Sequence, residues 1–244
     1  MKIAILTIAT NKYKEFLYPL ISSIEKYFVV SVKKDYYLFT DEPLNWFNNY
    51  SIINTKIDHE PWPYITLKRF EYISKVVDQL KDYDYVIYFD SDMEFVRSLP
   101  DFNIGDKKYI GVCHPSAFRD NEFWPVETNP SSTAYIPHKQ NYLYIQGCLW
   151  GSTGHTIKNL VNTLKDNINT DLSNGIVAIW HDESHLNKFF TDNAQDVAIL
   201  NSGFAFPEHW RMNLNKFVIH KDKNMVEFPR FAGAQKSEVK DDVV

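Results

Sequence analysis

The amino-acid sequence predicts an α/β domain whose first half is built on a doubly wound, parallel sheet. An apolar strand, an amphipathic helix and a second apolar strand follow one another within roughly the first forty residues. This order is a βαβ unit, which joins parallel strands. A further helix and strand repeat the alternation before residue 90. In sheets of this kind, ligands bind beyond the carboxyl ends of the strands.

The first predicted elements follow from the spacing of apolar residues. Ile3–Ile8 is an apolar run rich in isoleucine, which predicts a buried strand. Apolar side chains then recur at helical spacing over residues 13–28 and predict an amphipathic helix. A second strand is predicted over residues 36–40, and we interpret residues 45–63 as irregular.

A second helix and a third strand complete this half. Residues 67–80 have one apolar face, which predicts a helix. Tyr85–Phe89 predicts an apolar strand that runs directly into Asp90. Because this strand continues the alternation, Asp90 is expected at the carboxyl end of the sheet, where ligands bind.

The second half alternates less regularly. Residues 108–112 and 142–149 predict strands, and a long segment with four of the eleven prolines separates them. A loop of that length inside a compact domain is usually functional or mobile. A helix is predicted over residues 182–190. The charged stretch from about residue 221 to the end has little to bury, so a mobile tail is expected there.

Composition excludes several classes of protein. The net charge is −5, and no run of Lys or Arg suggests a nucleic-acid binder. The apolar runs are shorter than a membrane span, and no signal-peptide pattern precedes the first strand. Two cysteines do not make a disulfide framework. We therefore expect a soluble, cytoplasmic protein without a membrane anchor.

Asp90-Ser91-Asp92 is the first candidate for a chemical role. Two carboxylates one residue apart, just after a buried strand, can reach a hard divalent cation that bridges phosphate oxygens of a nucleotide. The string alone is common, and Asp82-Tyr83-Asp84 repeats it. That copy precedes the strand and is expected at the opposite end of the sheet. Position therefore favours Asp90 and Asp92, with a solvated turn as the alternative.

Two further segments are candidates. His181-Asp182-Glu183 opens a predicted helix, where acidic residues either take part in chemistry or cap the helix. His181 and His185 have the i, i+4 spacing of zinc ligands, but no third ligand has suitable spacing. In Tyr144-Ile145-Gln146-Gly147, a glycine inside a predicted strand indicates a close approach by backbone or ligand, or a simple bulge.

These motifs, in this order, resemble glycosyltransferase family 6, the family of the histo-blood-group A and B transferases and the α-1,3-galactosyltransferases. The similarity runs from Lys2 to about Lys223. The stretches that carry it are 36–41 (YYLFTD), 90–95 (DSDMEF), 114–115 (HP), 134–137 (AYIP), 151–152 (GS) and 180–188 (WHDESHLNK).

The resemblance implies a GT-A fold, with a Rossmann-like nucleotide-binding half and a mixed sheet fused to an acceptor-binding half. We expect a single domain over 1–244, with a nucleotide-sugar half to about residue 112, an acceptor and catalytic half over about 113–220, and a mobile tail over 221–244. Family members are retaining enzymes that move galactose or GalNAc from a UDP donor to the 3-hydroxyl of a galactoside. The new linkage is α-1,3, and the metal is normally Mn²⁺, for which Mg²⁺ or Co²⁺ can substitute.

The resemblance also implies site residues. Those expected to bind the UDP-sugar donor are Ile8, Ala9, Tyr13, Arg69, Asp90, Ser91, Asp92, Ile145, Gly147, His181, Asp182 and Lys223. Among them, Asp90 and Asp92 match the metal ligands, Tyr13 is expected to pack on the uracil, and Lys223 matches a residue that reaches the diphosphate when the C-terminus closes.

Catalytic and acceptor roles come from the same resemblance. Glu183 matches the carboxylate proposed as catalytic nucleophile, which either attacks the anomeric carbon or stabilises its charge. His114, Trp180 and Glu183 match contacts with a galactose-terminated acceptor. Pro125 stands near a position that is a polar acceptor contact in vertebrate members.

The segment 145–147 aligns with the one that sets donor choice. Gly147 resembles the A-type enzymes, which use UDP-GalNAc, whereas Gln146 departs from the usual Gly or Ala. A UDP-GalNAc donor is therefore predicted, with a UDP-galactose-specific α-1,3-galactosyltransferase as the alternative. Two other readings are a phosphatase with an aspartate nucleophile after a strand, and a non-catalytic carbohydrate-binding module.

Overall fold

A seven-stranded mixed sheet forms the centre of the computed structural model, which describes residues 1–42, 49–115, 126–137, 144–211 and 213–223. The strands within those ranges are β1 (Ile3–Ile8), β2 (Lys34–Thr40), β3 (Ser51–Lys56), β4 (Tyr85–Phe89), β5 (Met93–Phe95), β6 (Tyr109–Cys113), β7 (Ile145–Ser152), β8 (Val197–Leu200), β9 (Phe206–Pro207) and β10 (Val218–His220). The helices are α1 (Leu17–Tyr27), α2 (Tyr64–Leu67), α3 (Arg69–Ser74), α4 (Gly154–Ser173) and α5 (His181–Asp192).

The strand order of the large sheet is β3-β2-β1-β4-β7-β6-β8. Only β7 runs against its neighbours, and the other pairings are parallel. The carboxyl ends of β1, β2, β4 and β6 therefore share one edge with the amino end of β7. That edge holds Asp90, His114 and Ile145, which lie far apart in the chain.

Two hydrophobic cores cover the two faces of the sheet, because alternate side chains of a strand point to opposite faces. Ala4 and Leu6 of β1 belong to the core that α3, α4 and α5 complete. Ile3 and Ile5 belong to the core on the other face, under α1 and β5. Helices on both faces of a mostly parallel sheet give the layered α/β architecture that the sequence predicts.

Several predicted elements are confirmed, with shifted boundaries. Strands β1, β2 and β4 lie where they were predicted, and their mutual pairing is parallel. The helix predicted over 13–28 begins as a 3₁₀ segment, Asn11–Phe16, before α1. The helix predicted over 67–80 is divided into α2, α3 and a 3₁₀ turn, because Lys68 leaves helical geometry with ψ near 4°.

Two interpretations of the sequence were incomplete. Residues 45–63 are not wholly irregular, because they include β3, the outer strand of the sheet. This strand is only partly buried. Its polar residues hide the apolar pattern of a strand. Helix α4 was not predicted, although Ile157, Leu160 and Leu164 have helical spacing and are fully buried.

The remaining regional predictions concern the tail and the membrane. Pro125, residues 141–143 and residues 224–244 lie outside the described residues. Of the predicted mobile tail, the structure therefore describes only residues 221–223. No helix among the described residues is long and apolar enough to cross a bilayer. The division into two halves stays a prediction.

Candidate active site

The carboxyl end of β4 positions Asp90, Ser91 and Asp92. The backbone N–H of Asp90 donates to the Cys148 carbonyl of β7 at 2.8 Å, so the segment stays attached to the sheet as it leaves the strand. Ser91 and Asp92 are buried. By contrast, Asp84 accepts a hydrogen bond from the Lys2 backbone N–H at the amino end of β1. The two D-x-D copies therefore lie at opposite ends of the sheet, as predicted.

Asp92 is a buried carboxylate with two basic partners. The Lys223 Nζ lies 3.2 Å from its Oδ2, and the His220 Nδ1 lies 3.8 Å from its Oδ1. Burial alone would raise the pKa of Asp92, but His220 and Lys223 outweigh that effect and lower it to about 2. Asp92 is therefore ionised at every physiological pH.

A short antiparallel ladder brings these partners to the site. Strand β10 pairs with β5, which begins one residue after Asp92, and the Lys221 N–H donates to the Asp92 carbonyl at 2.8 Å. The side chain of Lys221 is held by Glu208 at 2.6 Å and by Glu94 at 3.5 Å. This pairing connects a segment near the C-terminus to the carboxylates after β4.

The residues after β4 fit a divalent cation. The Asp92 Oδ2 is buried and accepts no hydrogen bond, although the Lys223 ammonium is within ion-pair distance. Carboxylate oxygens are the ligands that Mg²⁺ and Mn²⁺ prefer. In the described part of the chain, no three His, Cys, Asp or Glu side chains form a group that could by itself hold a metal ion. The protein thus offers two carboxylates, and an ion here would take further oxygens from a phosphate ligand or water.

Arg69 connects Asp90 to the start of α5. Its buried guanidinium donates to the Gly147 carbonyl at 2.6 Å, to the Asp90 Oδ1 at 3.2 Å, and forms an ion pair with Asp182 at 3.2 Å. The guanidinium lies over the ring of Tyr88, whose hydroxyl donates to the Asp90 Oδ1 at 3.0 Å. Burial raises the pKa of Asp182, and Arg69 opposes this rise.

Glu183 is held at both carboxylate oxygens. The Tyr144 hydroxyl donates to Oε1 at 2.5 Å, and the Gly147 N–H donates to Oε2 at 2.6 Å. Burial raises the pKa of Glu183 to about 7, and the charge of Asp182 adds to this rise. The two hydrogen bonds and Arg69 act in the opposite direction.

The capping interpretation of Asp182 and Glu183 is not supported. The N-cap residue of α5 is Trp180, and its side chain makes no capping hydrogen bond. The two carboxylates instead contact Arg69, Tyr144 and Gly147. Acidic side chains in the first turn are electrostatically favourable, but here they face the interior of the site.

The two histidines of α5 have separate environments. His181 has a positive φ of 53° and its ring packs against Trp62, with centroids 4.6 Å apart. His185 is buried, with its Nε2 3.6 Å from Asp171 and its Nδ1 3.3 Å from the Thr133 hydroxyl. The two rings therefore contact different residues of the site.

Asn187 fixes the register between α5 and β7. Its Oδ1 accepts from the Ile145 N–H at 2.8 Å, and its Nδ2 donates to the Ile145 carbonyl at 2.8 Å. The same Nδ2 donates to the Glu183 carbonyl at 2.9 Å. One buried amide therefore binds the strand and the helical turn that carries Glu183.

Two adjoining cavities, of about 290 and 520 Å³, form one cleft along this edge. Both are lined by Trp62, Thr66, Arg69, Asp90 and Lys223. The predicted site residues that line only the smaller cavity are Ile8, Tyr13, Ser91 and Asp92. Those that line only the larger cavity are Gly147, Trp180, His181, Asp182 and Glu183.

Three predicted site residues do not line the cleft. Ala9 and Ile145 are buried. The backbone N–H of Ala9 donates to the Phe39 carbonyl, and the backbone N–H of Ile145 donates to the Asn187 side chain. His114 packs edge-on against Tyr144, with centroids 5.6 Å apart. Burial and the nearby His220 lower the pKa of His114 to about 4.

Several residues of the site have no role that was predicted from the sequence. Thr10 and His59 line the smaller cavity and contact each other at 2.9 Å, and Trp62 and His220 line the larger one. Tyr88 could have been suspected, because it precedes Asp90 by two residues in a strand and so points to the same face. Nothing local in the sequence indicates the other four.

Comparisons with known proteins identify the family of this chain. The profile of Glycosyltransferase family 6 matches residues 1–224. The O-antigen biosynthesis glycosyltransferase WbnI of Escherichia coli is 31% identical over 227 residues, which are 91% of this chain and 95% of that protein. The chain therefore spans nearly the whole of one bacterial relative.

Vertebrate relatives are longer. The histo-blood group ABO system transferase 2 of Rattus norvegicus is 32% identical over 196 residues, which are 77% of this chain and 58% of that protein. The globoside alpha-1,3-N-acetylgalactosaminyltransferase 1 of Homo sapiens is 28% identical over 203 residues, covering 79% and 58% respectively. The phosphatase alternative has no support in these matches. With the family profile covering nearly the entire chain and a mostly parallel α/β sheet beneath the cleft, the protein belongs to glycosyltransferase family 6.

Proposed function

We propose that this chain is a retaining glycosyltransferase that moves GalNAc, or galactose, from a UDP-sugar to the 3-hydroxyl of a galactoside, forming an α-1,3 linkage. One observation carries the proposal: in a single cleft, Asp90 and Asp92 adjoin the cluster of Arg69, Asp182 and Glu183. The first pair of carboxylates can hold a divalent cation that binds a nucleotide diphosphate. A sugar whose anomeric bond breaks needs the second group of charges.

Asp90 and Asp92 are proposed to hold a divalent cation, with Mn²⁺ as the expected ion and Mg²⁺ or Co²⁺ as substitutes. The ion would neutralise negative charge on the diphosphate as it leaves. The buried Asp92 carboxylate, which lines the smaller cavity together with Asp90, supports this assignment. Two carboxylates completed by phosphate oxygens are a usual set for such an ion.

Lys223 and Arg69 contribute positive charge of the chain itself. Lys223 lines both cavities, so its ammonium can reach a diphosphate bound between them. Arg69 is fixed by Asp90, Asp182 and the Gly147 carbonyl, and its role is to orient these groups. Charges held in place before the reaction stabilise the leaving group without reorganisation during the step.

Glu183 is proposed as the carboxylate that meets the positive charge on the anomeric carbon. In one route its oxygen attacks the carbon, the bond to UDP breaks, and the acceptor hydroxyl then displaces the carboxylate with loss of its proton. In the other route Glu183 only stabilises the charge while the hydroxyl enters from the face that UDP leaves. Both routes require an ionised carboxylate near the sugar.

The donor is proposed to be UDP-GalNAc. Gly147 lines the larger cavity without a side chain, and a Cβ there would lie only 3.3 Å from the Glu183 Cβ and Oε2, so a larger residue would crowd this wall of the donor site. Gln146 lines the larger cavity, and its Nε2 is 3.4 Å from the His220 Nε2. The relatives that are named as N-acetylgalactosaminyltransferases also favour this donor.

The acceptor is proposed to be a galactose-terminated glycan. Trp180 is 39% exposed and lines the larger cavity, and Trp62 is 56% exposed at the junction of the two cavities. Exposed aromatic faces next to polar groups suit the apolar face of galactose. His114 does not line the cavity, so a direct contact with the acceptor would need a change in its position.

Release of UDP from UDP-GalNAc and from UDP-galactose, measured with and without Mn²⁺ and with lactose or a fucosylated galactoside as acceptor, tests the proposal. Asp92→Asn should abolish the metal-dependent turnover. Asp82→Asn, in the second D-x-D copy, should leave it intact. Turnover of UDP-galactose alone would establish the alternative donor, and sugar binding without any turnover would establish a carbohydrate-binding module instead.

A further inference from the structure

We propose that Tyr144 is a positioning residue that orients the Glu183 carboxylate toward the sugar, and this inference rests on the proposed function. Tyr144 is buried and lines neither cavity. It therefore acts through Glu183 and not through contact with substrate. Its hydroxyl donates to the Glu183 Oε1 at 2.5 Å.

The carboxylate is fixed by two donors that come from one strand end. The Gly147 N–H binds Oε2 at 2.6 Å while Tyr144 binds Oε1, so rotation of the carboxylate about its terminal bond would break at least one hydrogen bond. A backbone N–H alone would hold one oxygen and leave the other free to turn. Tyr144 is thus the side chain that converts an anchored carboxylate into an oriented one.

The surrounding contacts keep Tyr144 at the required place. Asn187 of α5 pairs with both the N–H and the carbonyl of Ile145, the residue next to Tyr144. Because Asn187 also binds the Glu183 carbonyl, strand and helix cannot slide past each other at this point. The ring of Tyr144 packs edge-on against His114, with centroids 5.6 Å apart, which restricts the ring further.

The groups around Glu183 make its pKa a second quantity by which the inference can be tested. Asp182 of α5, Arg69 of α3 and Cys148 of β7 interact with Glu183, besides the Tyr144 hydroxyl and the Gly147 N–H. Burial raises the pKa of Glu183 to about 7, and donation from Tyr144 opposes the rise. Loss of the hydroxyl should therefore raise the pKa of Glu183 further.

Tyr144→Phe removes the hydroxyl and keeps the ring. We expect kcat to fall about 10- to 100-fold, the range expected when one hydrogen bond to a charged group is lost. The KM for the UDP-sugar should stay within about twofold, and the midpoint of the acidic limb of the pH–kcat profile should move to higher pH. The control is Tyr109→Phe, which removes a buried hydroxyl that accepts from Asn159 away from the cleft.

A titration that needs no turnover separates this inference from the proposed function. The pKa of Glu183 is measured by ¹³C NMR of the labelled carboxylate, with Glu183→Gln for assignment, in the wild type and in Tyr144→Phe. A rise of the pKa in Tyr144→Phe supports the inference even for an unexpected sugar substrate. An unchanged pKa, or a fall in kcat that only follows a fall in Tm, overturns it. Absence of turnover in the wild type overturns the proposed function instead.

Discussion

Individual carboxylates of the cleft have opposite electrostatic environments. Asp92 has a pKa of about 2, because His220 and Lys223 outweigh its burial. Glu183 has a pKa of about 7, because burial and Asp182 outweigh its two hydrogen bonds and Arg69. The first environment suits a permanent negative charge for a cation or a phosphate partner. The second suits a carboxylate whose charge is poorly stabilised until a positive centre forms beside it.

Glu183→Gln should lower turnover about 10²- to 10³-fold, the usual effect of removing one group that stabilises charge in the transition state. The affinity for UDP should change less than about twofold, because the amide keeps the shape of the side chain. Turnover and UDP binding by calorimetry are the measurements. Glu71→Gln, at an exposed residue of α3, is the control. Near-normal turnover of Glu183→Gln would remove Glu183 from the reaction.

The same substitution should change how stability depends on pH. The folded state raises the pKa of Glu183 from 4.5 to about 7, so it binds this proton more tightly than the unfolded chain does. The resulting stabilisation is complete below pH 4.5 and is lost as the pH rises to 7. Glu183→Gln should therefore gain stability relative to wild type from pH 4.5 to pH 8, on the order of 2–3 kcal/mol. Urea unfolding at both pH values measures this difference, and a constant difference contradicts the assignment.

Arg69→Met should destabilise the protein by about 3–5 kcal/mol, because Asp182 would stay buried without its cationic partner. Chemical unfolding measures this loss. Arg97→Met serves as the control, since Arg97 is exposed and lies over the Phe217 ring at 5.7 Å, an arrangement with an effect below about 1 kcal/mol. Equal losses in the two variants would contradict a central role for Arg69.

At the level of elements, the β5–β10 ladder brings a segment distant in sequence to the carboxylates. Strand β5 begins one residue after Asp92, and β10 ends one residue before Lys221. Any displacement of β10 therefore displaces His220 and Lys223 with it. The small three-stranded sheet supports the edge of the larger sheet that holds the cleft.

Lys221→Pro tests this support. Proline removes the N–H that donates to the Asp92 carbonyl, whereas Lys221→Ala removes only the side chain and its ion pairs with Glu94 and Glu208. We expect the proline variant to bind UDP about 5- to 10-fold more weakly than the alanine variant, as one backbone hydrogen bond would account for. Calorimetry measures the affinity, and circular dichroism checks that the fold is retained. Equal affinities would mean that the backbone pairing is dispensable.

For the whole molecule, the cleft lies where the two cores, the sheet edge and the small sheet meet. A ligand that fills it contacts all of these parts, so binding should stabilise the entire fold. With UDP at a hundred times its Kd, the expected increase is about 2.7 kcal/mol. Mn²⁺ with UDP should raise Tm further in the wild type but not in Asp92→Asn. A metal-dependent rise that survives in Asp92→Asn would contradict the proposed cation site.

Much of this architecture could be predicted from local patterns in the sequence. Strands β1, β2 and β4 were predicted because each is an apolar run between polar breaks, and the order with α1 predicted their parallel pairing. The position of Asp90 at the end of β4 followed from that order alone. The motif 180–188 then identified the family, because a run of nine specific residues does not depend on the fold for its recognition.

Contacts between residues that are distant in the chain are determined only by the tertiary structure. Tyr144 and Glu183 are separated by 39 residues, and Arg69 and the Gly147 carbonyl by 78. No local signature predicts such pairs, because they form only when β7 enters the sheet against β4 and α5 packs beside it. The same holds for Lys223, which reaches Asp92 through the pairing of β10 with β5. The main strands and helices, their order and the positions of the motifs thus follow from the sequence. The orientation of each charge and its pKa depend on burial, and burial exists only in the folded state.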